Sequence, residues 1–149
     1  MSPTLVSLNL SHINDVLEIE NDSFLKPWKL TDFINVCKLQ CSDNVVLMLG
    51  DVLVGYAFAE LEHDRVYLSN LAVRDEYRRK GYASLILDYY KIRLNQSNRD
   101  VLYATVRESD LRLQMFFKKN DFWYIESLRG LCDTNEDTYV FEYVKRMKV

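Results

Sequence analysis

Three basic residues stand immediately before a glycine in the segment VRDEYRRKGYASLILDYY, which runs from Val73 to Tyr90. An amphipathic run follows that glycine, Gly81, and predicts a helix from Tyr82 to Asn95. The first turn of a helix has unpaired N–H groups and a partial positive charge, so it can bind an anion such as a pyrophosphate. Gly81 has no side chain, which lets a ligand approach the backbone, and further attraction would come from Arg78, Arg79 and Lys80. The segment predicts a phosphate-binding loop, with a solvated basic loop as the alternative.

Composition narrows the classes to which the protein can belong. The 149 residues suffice for one domain, predicted to span 1–149, and the net charge is −3. We therefore expect neither a nucleic-acid nor a membrane partner, and the N-terminal residues do not resemble a signal peptide. Cys37, Cys41 and Cys132 lack metal-like spacing. They predict free thiols in a reducing compartment, the cytoplasm, and no metal site.

The apolar pattern predicts elements in the order β-α-α-β-β-β-α-β-α-β-β. The strands are expected at Thr4–Leu10, on both sides of the Gly50-Asp51 turn, at Arg65–Val73, at Asp100–Val106 and in the closing segments FWYIESLRGL and TYVFEYVK. Ser11, Thr31 and Asp110 are predicted helix caps, and Asn120 is expected to end the last helix in the left-handed conformation. This order predicts an α+β or mixed α/β fold with helices on both faces of a sheet.

Three segments carry a resemblance to a known family. Arg78, Gly81 and Ala83 fit the Q/R-x-x-G-x-G/A signature of the GCN5-related N-acetyltransferase (GNAT) superfamily. IENDSFLKPW, from Ile19 to Trp28, and VRESDLRLQMFFKKNDF resemble segments of the branch typified by the ribosomal-protein-alanine N-acetyltransferase. The resemblance spans roughly residues 5 to 145 and implies the GNAT fold: a mostly antiparallel, twisted sheet with one splayed strand pair.

The resemblance implies that acetyl-CoA is the cosubstrate. The pyrophosphate would be held by backbone amides of Arg79, Lys80, Gly81, Tyr82, Ala83 and Ser84. The pantetheine arm would bind along Leu71, Ala72 and Val73, where strands Leu68–Val73 and Val101–Val106 splay apart. Asp110 takes the place of an asparagine that touches pantetheine in the family, although its role as a helix cap is the stronger interpretation.

The chain departs from the family pattern where acid–base chemistry is expected. An acyl transfer to an amine requires removal of a proton from the amine and stabilisation of the leaving thiolate. Thr105 stands where that branch has a glutamate or histidine, and Phe117 where a tyrosine commonly donates to the thiolate. Asp121 replaces a glycine, and the paired tyrosines that hold a peptide fall near Gly130 and Leu131.

One tyrosine and a pair of glutamates are the candidates to replace the missing base. Tyr67 stands where the histone acetyltransferases carry a catalytic glutamate, and it could order a water or act as an acid. Glu60, with Glu62, lies on the neighbouring strand and could reach a shared water. A sheet tyrosine and solvated carboxylates are the structural alternatives, and His63 ranks behind both because it occupies a turn.

The acceptor site is predicted to involve Phe24, Trp28, Tyr124 and Tyr139, each of which could instead be a packing residue. These observations predict an acetyl-CoA-dependent N-acetyltransferase that acts by direct attack of a primary amine, either a peptide N-terminus or a small molecule. A catalytically weakened acetyl-CoA-binding sensor is the alternative. The chain is expected to be a monomer or a homodimer.

Overall fold

The computed structural model describes residues 2–39, 41–130 and 135–146. The strands are β1 (Thr4–Ser7), β2 (Val45–Leu49), β3 (Val52–Leu61), β4 (Arg65–Val73), β5 (Val101–Arg107), β6 (Trp123–Leu128) and β7 (Thr138–Val144). The helices are α1 (Ile13–Ser23), α2 (Leu30–Cys37), α3 (Tyr82–Asn95) and α4 (Leu111–Lys119), with short 3-10 helices at Leu10–His12 and Asp75–Tyr77. The predicted order of strands and α-helices is confirmed.

The strands form a mostly antiparallel sheet in the order β1-β2-β3-β4-β5-β7-β6, which confirms the α+β class. The ladders β1–β2, β2–β3, β5–β7 and β6–β7 are antiparallel. The β4–β5 ladder is parallel and joins Arg65 to Val101, Val66 to Leu102 and Tyr67 to Tyr103. The chain divides into two compact units, Met1–Leu61 with Leu68–Tyr89, and Glu62–Tyr67 with Tyr90–Val149. The single domain spanning 1–149 stays a prediction.

The first unit has helices packed on both faces of its strands. Tyr56 and Phe58 of β3 pack with Phe33 of α2 in a core to which α1 contributes Val16 and Ile19. The opposite face of β3 meets α3, because a Cβ built on Gly55 would lie 3.4 Å from Ile86 Cδ1. Alternation of side chains along the strand explains this division of neighbouring residues between two helix layers.

A buried carboxylate lies in the middle of this first core. Glu20 of α1 is 1% exposed. It accepts hydrogen bonds from the Tyr56 hydroxyl, from Asn70 Nδ2 at 2.7 Å and from the backbone N–H of Trp28 at 2.9 Å. Burial and the adjacent Glu20 carboxylate raise the pKa of Tyr56, so its hydroxyl remains a donor. One side chain thus joins α1, β3, β4 and the loop before α2.

The second unit is built around aromatic packing between α4 and β7. Phe117 of α4 lies parallel to Phe141 of β7, with ring centroids 6.2 Å apart, and packs on Phe122 at 4.9 Å. Lys91 of α3 donates to the Asn120 carbonyl at 2.6 Å, which connects α3 to the end of α4. No helix in the described residues is long and apolar enough to cross a membrane.

The predicted helix ends are partly wrong. Asn9, rather than Ser11, provides the first cap, and its side chain accepts from the Ser11 N–H within the 3-10 turn before α1. At α2, Thr31 lies inside the helix, and Asp32 accepts from the Lys29 N–H instead. The Asp110 cap is confirmed by the bond from Leu113 N to its Oδ1 at 3.1 Å.

We expect Glu20→Ala to lower the free energy of unfolding by about 3 kcal/mol, because the buried donors of Tyr56 and Asn70 and the part-buried N–H of Trp28 lose their acceptor. Urea denaturation followed by circular dichroism measures this change. The matched control is Asp22→Ala on the exposed face of the same helix, which should change stability by less than about 0.5 kcal/mol. Equal stabilities for the two variants would show that the network contributes little.

Candidate active site

The basic loop before α3 is held in shape by the Arg78 side chain. Its Nε donates to the Val73 carbonyl at 2.9 Å, and its terminal nitrogens contact Asp75 at 3.2 Å and Ser23 at 2.9 Å. The sequence predicted electrostatic attraction of a phosphate by this arginine. The structure shows that its guanidinium is bonded to the protein and holds the loop in shape, and its attraction of a phosphate stays a prediction.

The backbone of the same loop exposes unpartnered amides. Arg79 and Gly81 adopt left-handed φ values of 63° and 85°, a conformation that bends successive N–H groups into an anion-binding concavity. No backbone hydrogen bond within the described residues uses the amides of Arg79, Lys80 or Gly81. A Cβ built on Gly81 would meet nothing within 4 Å. Together with the free first-turn amides of α3, the loop fits a pyrophosphate.

The strand predicted to bind pantetheine, Leu71-Ala72-Val73, is the end of β4 in the first unit. Leu71 is half-buried, whereas Ala72 and Val73 are buried. Gly55 of β3, which the sequence analysis did not single out, controls the packing of this segment. A Cβ at Gly55 would lie 3.0 Å from the Ala72 carbonyl oxygen and 3.2 Å from Val73 Cγ2. A larger residue would therefore displace the end of β4.

Two hydroxyls meet on the partly exposed face of the second unit. Tyr67 Oη lies 3.2 Å from Thr105 Oγ1, and either atom can be the donor. Tyr67 also stacks on Tyr103, with ring centroids 4.9 Å apart and an interplanar angle of 19°. Tyr103 was missed in the sequence analysis, although it lies two residues before Thr105 on an alternating strand and therefore shares its face.

The two positions in and just after α4 at which the chain departs from the family pattern have structural explanations. Phe117 is 3% exposed and surrounded by other rings, so this position carries core packing and no proton donor. Asp121, rather than the predicted Asn120, takes the left-handed conformation, with φ 68° against −100° for Asn120. The family glycine thus falls on a left-handed position, and aspartate is among the residues that tolerate it. Contact of Asp110 with pantetheine stays a prediction.

The other candidates for the general base, Glu60, Glu62 and His63, differ from one another in their contacts. Glu60 lies in the first unit, where its backbone bridges Ser42, and its carboxylate makes no hydrogen bond or ion pair in the part of the chain described. Glu62, by contrast, belongs to the second unit and accepts from Tyr103. His63 is exposed. The structure therefore links Glu62, and not Glu60, to the tyrosine pair by hydrogen bonds.

The predicted acceptor residues of the first unit lie on the loop between α1 and α2. Trp28 packs against Phe33 at 5.2 Å and Phe58 at 5.8 Å, so it anchors this loop on the core. It also borders a surface pocket of about 620 Å³ that is lined by Leu17, Asn21, Lys26, Pro27, Trp28, Lys29 and Leu30. Phe24 is 37% exposed. Both residues remain predicted acceptor contacts.

Tyr124 and Tyr139 lie on the other face of the second unit's strands. Tyr139 pairs with Val106, whereas Thr105 pairs with Val140. Because directly opposed residues share a face and neighbours alternate, Tyr139 points away from the face of Thr105. Tyr124 contacts Tyr139 at 5.3 Å, and both rings border a pocket of about 300 Å³ beside α4. The structure does not bring these tyrosines together with Tyr67.

Among the cysteines, Cys37 and Cys41 are free thiols, and burial raises the pKa of Cys37. A thiol with a raised pKa is a poor nucleophile. Cys132 and Leu131, which the sequence analysis also named, lie outside the described residues.

The sequence profile of the acetyltransferase (GNAT) family matches residues 13–122, a range that includes the loop, β4, β5 and α4. The chain belongs to this family. It is therefore an N-acetyltransferase, and acetyl-CoA is the acetyl donor that GNAT enzymes use.

Related proteins resemble the chain over nearly its whole length. An N-alpha-acetyltransferase of Saccharolobus solfataricus is 23% identical over 92% of this chain and 90% of that protein. The fold matches the ribosomal-protein-S18-alanine N-acetyltransferase from Escherichia coli with a TM-score of 0.89 and 20% identity, covering 99% of this chain and 97% of the other. Ard1 from Thermoplasma volcanium matches with a TM-score of 0.90 and 16% identity, covering 99% and 100%.

We expect Gly81→Glu to weaken acetyl-CoA binding by at least about a hundredfold. Two like charges about 4 Å apart near a protein surface repel by about 4 kcal/mol, and the residue must also adopt a positive φ. Calorimetric titration with acetyl-CoA measures the affinity. Gly130→Glu is the control, because Gly130 has a similar φ of 76° and open space around it in the second unit. Unchanged affinity in Gly81→Glu would contradict the assignment of this loop.

Proposed function

We propose that this acetyltransferase transfers the acetyl group of acetyl-CoA to the α-amino group of a peptide or protein N-terminus, by direct attack and without a covalent enzyme intermediate. The observation that carries the proposal is the pairing of the Tyr67 and Thr105 hydroxyls at 3.2 Å on a partly exposed sheet face. Free amines of small molecules are the other acceptor class that this site would admit.

The residues that would hold the cosubstrate are those of the loop and the end of β4. The amides of Arg79–Ser84 would hold the pyrophosphate, while Arg78 keeps the loop in place through Val73 and Ser23. Leu71, Ala72 and Val73 would pair with the pantetheine arm through their backbone. When bound, acetyl-CoA supplies an activated acetyl thioester.

The hydroxyl pair supports proton handling without an ionised base. One hydroxyl donates to the other, which leaves one proton and several lone pairs available for a water molecule. Such a water can pass the proton of the acceptor ammonium to solvent, after which the neutral amine forms the new C–N bond, the C–S bond breaks, and the nitrogen gives up its second proton to the same water. Phe117 has no hydroxyl, so the leaving thiolate would take its proton from solvent or from this water.

Relatives support the choice of an α-amino acceptor. The Saccharolobus relative is an N-alpha-acetyltransferase, and the Escherichia coli structure is that of an enzyme acting on an alanine of ribosomal protein S18. Thr105 and Phe117 have no ionisable side chain at positions where the resemblance implies acid–base groups. We therefore do not assign alanine as the preferred first residue of the acceptor peptide. The cytoplasm stays the predicted compartment, in keeping with the free thiols of Cys37 and Cys41.

A peptide panel that varies the first residue, with thiol release and mass spectrometry as readouts, tests the proposal. Each peptide is compared with a copy whose N-terminus is already acetylated, and a polyamine is included. Transfer to free peptides alone supports the proposal, whereas transfer to the polyamine alone would assign a small-molecule acceptor. Tight acetyl-CoA binding without release of the CoA thiol in the presence of any amine would favour the catalytically weakened sensor. Thr105 and the buried Phe117, which have no ionisable side chain, are consistent with that alternative.

We expect Tyr67→Phe to lower kcat by about tenfold or more while the affinity for acetyl-CoA stays within about twofold, because the hydroxyl serves proton transfer rather than cofactor binding. Thr105→Val should act in the same direction, and the double variant should lose little more than either single one. Steady-state kinetics and calorimetry measure both quantities.

The control for these variants is Tyr89→Phe, which also removes a hydrogen-bonded phenol hydroxyl, here 2.9 Å from Asp43 Oδ1. Its kcat should match that of the unchanged protein. A wild-type rate in Tyr67→Phe would remove Tyr67 from the mechanism.

A further inference from the structure

Tyr103 has contacts on its ring and at its hydroxyl, and none of them is explained by the reaction described so far. It lies on β5 beside Tyr67 in the parallel β4–β5 register, and the two rings stack with centroids 4.9 Å apart. The Arg65 guanidinium carbon lies 4.1 Å from the centroid of the Tyr103 ring. Arg65 and Tyr67 are two residues apart on β4 and share a face, so both contact this one ring.

The Tyr103 hydroxyl, like its ring, is in contact with a neighbouring side chain. It donates to the two carboxylate oxygens of Glu62 at 2.9 and 2.7 Å. Glu62 in turn contacts Arg65 at 3.5 Å, and its backbone carbonyl accepts from Arg99 Nε at 2.6 Å. The turn before β4 and the strand β5 are therefore joined through one phenol and one carboxylate.

Burial raises the pKa of Tyr103, and its hydrogen bond to Glu62 raises it further. The phenol therefore stays protonated and acts as a donor across the range in which an acetyl transfer would be measured. A group that keeps its proton in this way is unsuited to be the base, and its contacts assign it to orientation instead.

We propose that Tyr103 and Glu62 are positioning residues that fix the ring of Tyr67 so that its hydroxyl stays within reach of Thr105. Rotation of a tyrosine side chain about χ1 swings the whole ring, so the hydroxyl at its far end moves a long way for a small change in χ1, whereas rotation about χ2 leaves it on the ring axis. Stacking on a ring that is itself held by Glu62 and Arg65 restricts rotation about χ1. The inference rests on the proposed function, in which the Tyr67 hydroxyl serves the acetyl transfer.

A double-mutant cycle in the full-length protein tests the proposal. Tyr103→Phe removes both bonds to Glu62 while retaining an aromatic ring. We expect kcat with an accepted peptide to fall by about tenfold and the KM for acetyl-CoA to stay unchanged, because a misplaced catalytic group costs rate rather than cofactor binding. In a Tyr67→Phe background the same substitution should have no further effect. A loss of equal size in both backgrounds would overturn the proposal, since a merely structural defect acts independently of Tyr67.

Two variants of the carboxylate and one control complete the cycle. Glu62→Ala should reproduce the loss of Tyr103→Phe, whereas Glu62→Gln keeps one acceptor oxygen and should retain most of the rate. Tyr89→Phe breaks a comparable phenol–carboxylate bond, to Asp43, and should leave kcat unchanged. A full rate in Glu62→Ala would overturn the role of Glu62.

A second readout does not depend on turnover. The ring signals of Tyr67 are recorded by NMR with ring-labelled tyrosine, and Tyr67→Phe identifies them. If the unchanged protein acetylates no amine, the proposed function fails, and these signals still decide the inference. Altered chemical shifts of the Tyr67 ring in both Tyr103→Phe and Glu62→Ala would support it. Tyr67 signals identical to those of the unchanged protein would overturn it.

Discussion

The first unit depends on satisfying one buried negative charge. A carboxylate removed from water is costly unless donors replace its hydration, and Glu20 obtains three donors from three different segments: Tyr56 of β3, Asn70 of β4 and the backbone of Trp28. Because the donors come from distant parts of the chain, the network forms only when α1, the strands and the loop before α2 are all in place. The Oδ1 atom of Asn70 is buried without a partner in the described part of the chain, so Asn70 takes part in the network only as a donor to Glu20.

The proposed phosphate-binding loop before α3 depends on its backbone rather than on buried side chains. The positive φ values of Arg79 and Gly81 turn the amides outward, and the Arg78 side chain keeps them there through Val73, Asp75 and Ser23. The net charge of −3 is no obstacle to binding a pyrophosphate, because oriented amides and nearby cations act over a few ångströms whereas distant charges are screened by salt.

In the second unit, a packing residue stands at a position where the family resemblance implies a proton donor. Phe117 occupies the position of the family's proton donor and fills a ring cluster with Phe122 and Phe141. The polar chemistry is found on the other face, where Tyr67 meets Thr105 and Tyr103 meets Glu62. In the proposed mechanism these hydroxyls order a water molecule, and the acceptor amine loses its proton through that water to solvent.

The sequence alone determined the order of the elements and the family, because these depend on local periodicity, the Gly50 turn and contiguous motifs, and it predicted the phosphate loop from the motif between Arg78 and Ala83. It did not determine the helix ends at Asn9 and Asp121, where the choice between adjacent polar residues depends on backbone geometry. Only the tertiary structure revealed the bonds to Glu20, the engagement of Arg78 and the placement of Tyr139 on the face opposite Thr105. The first two depend on how segments distant in the sequence pack together. The third depends on strand register, because a one-residue shift in register moves a side chain to the other face of a sheet.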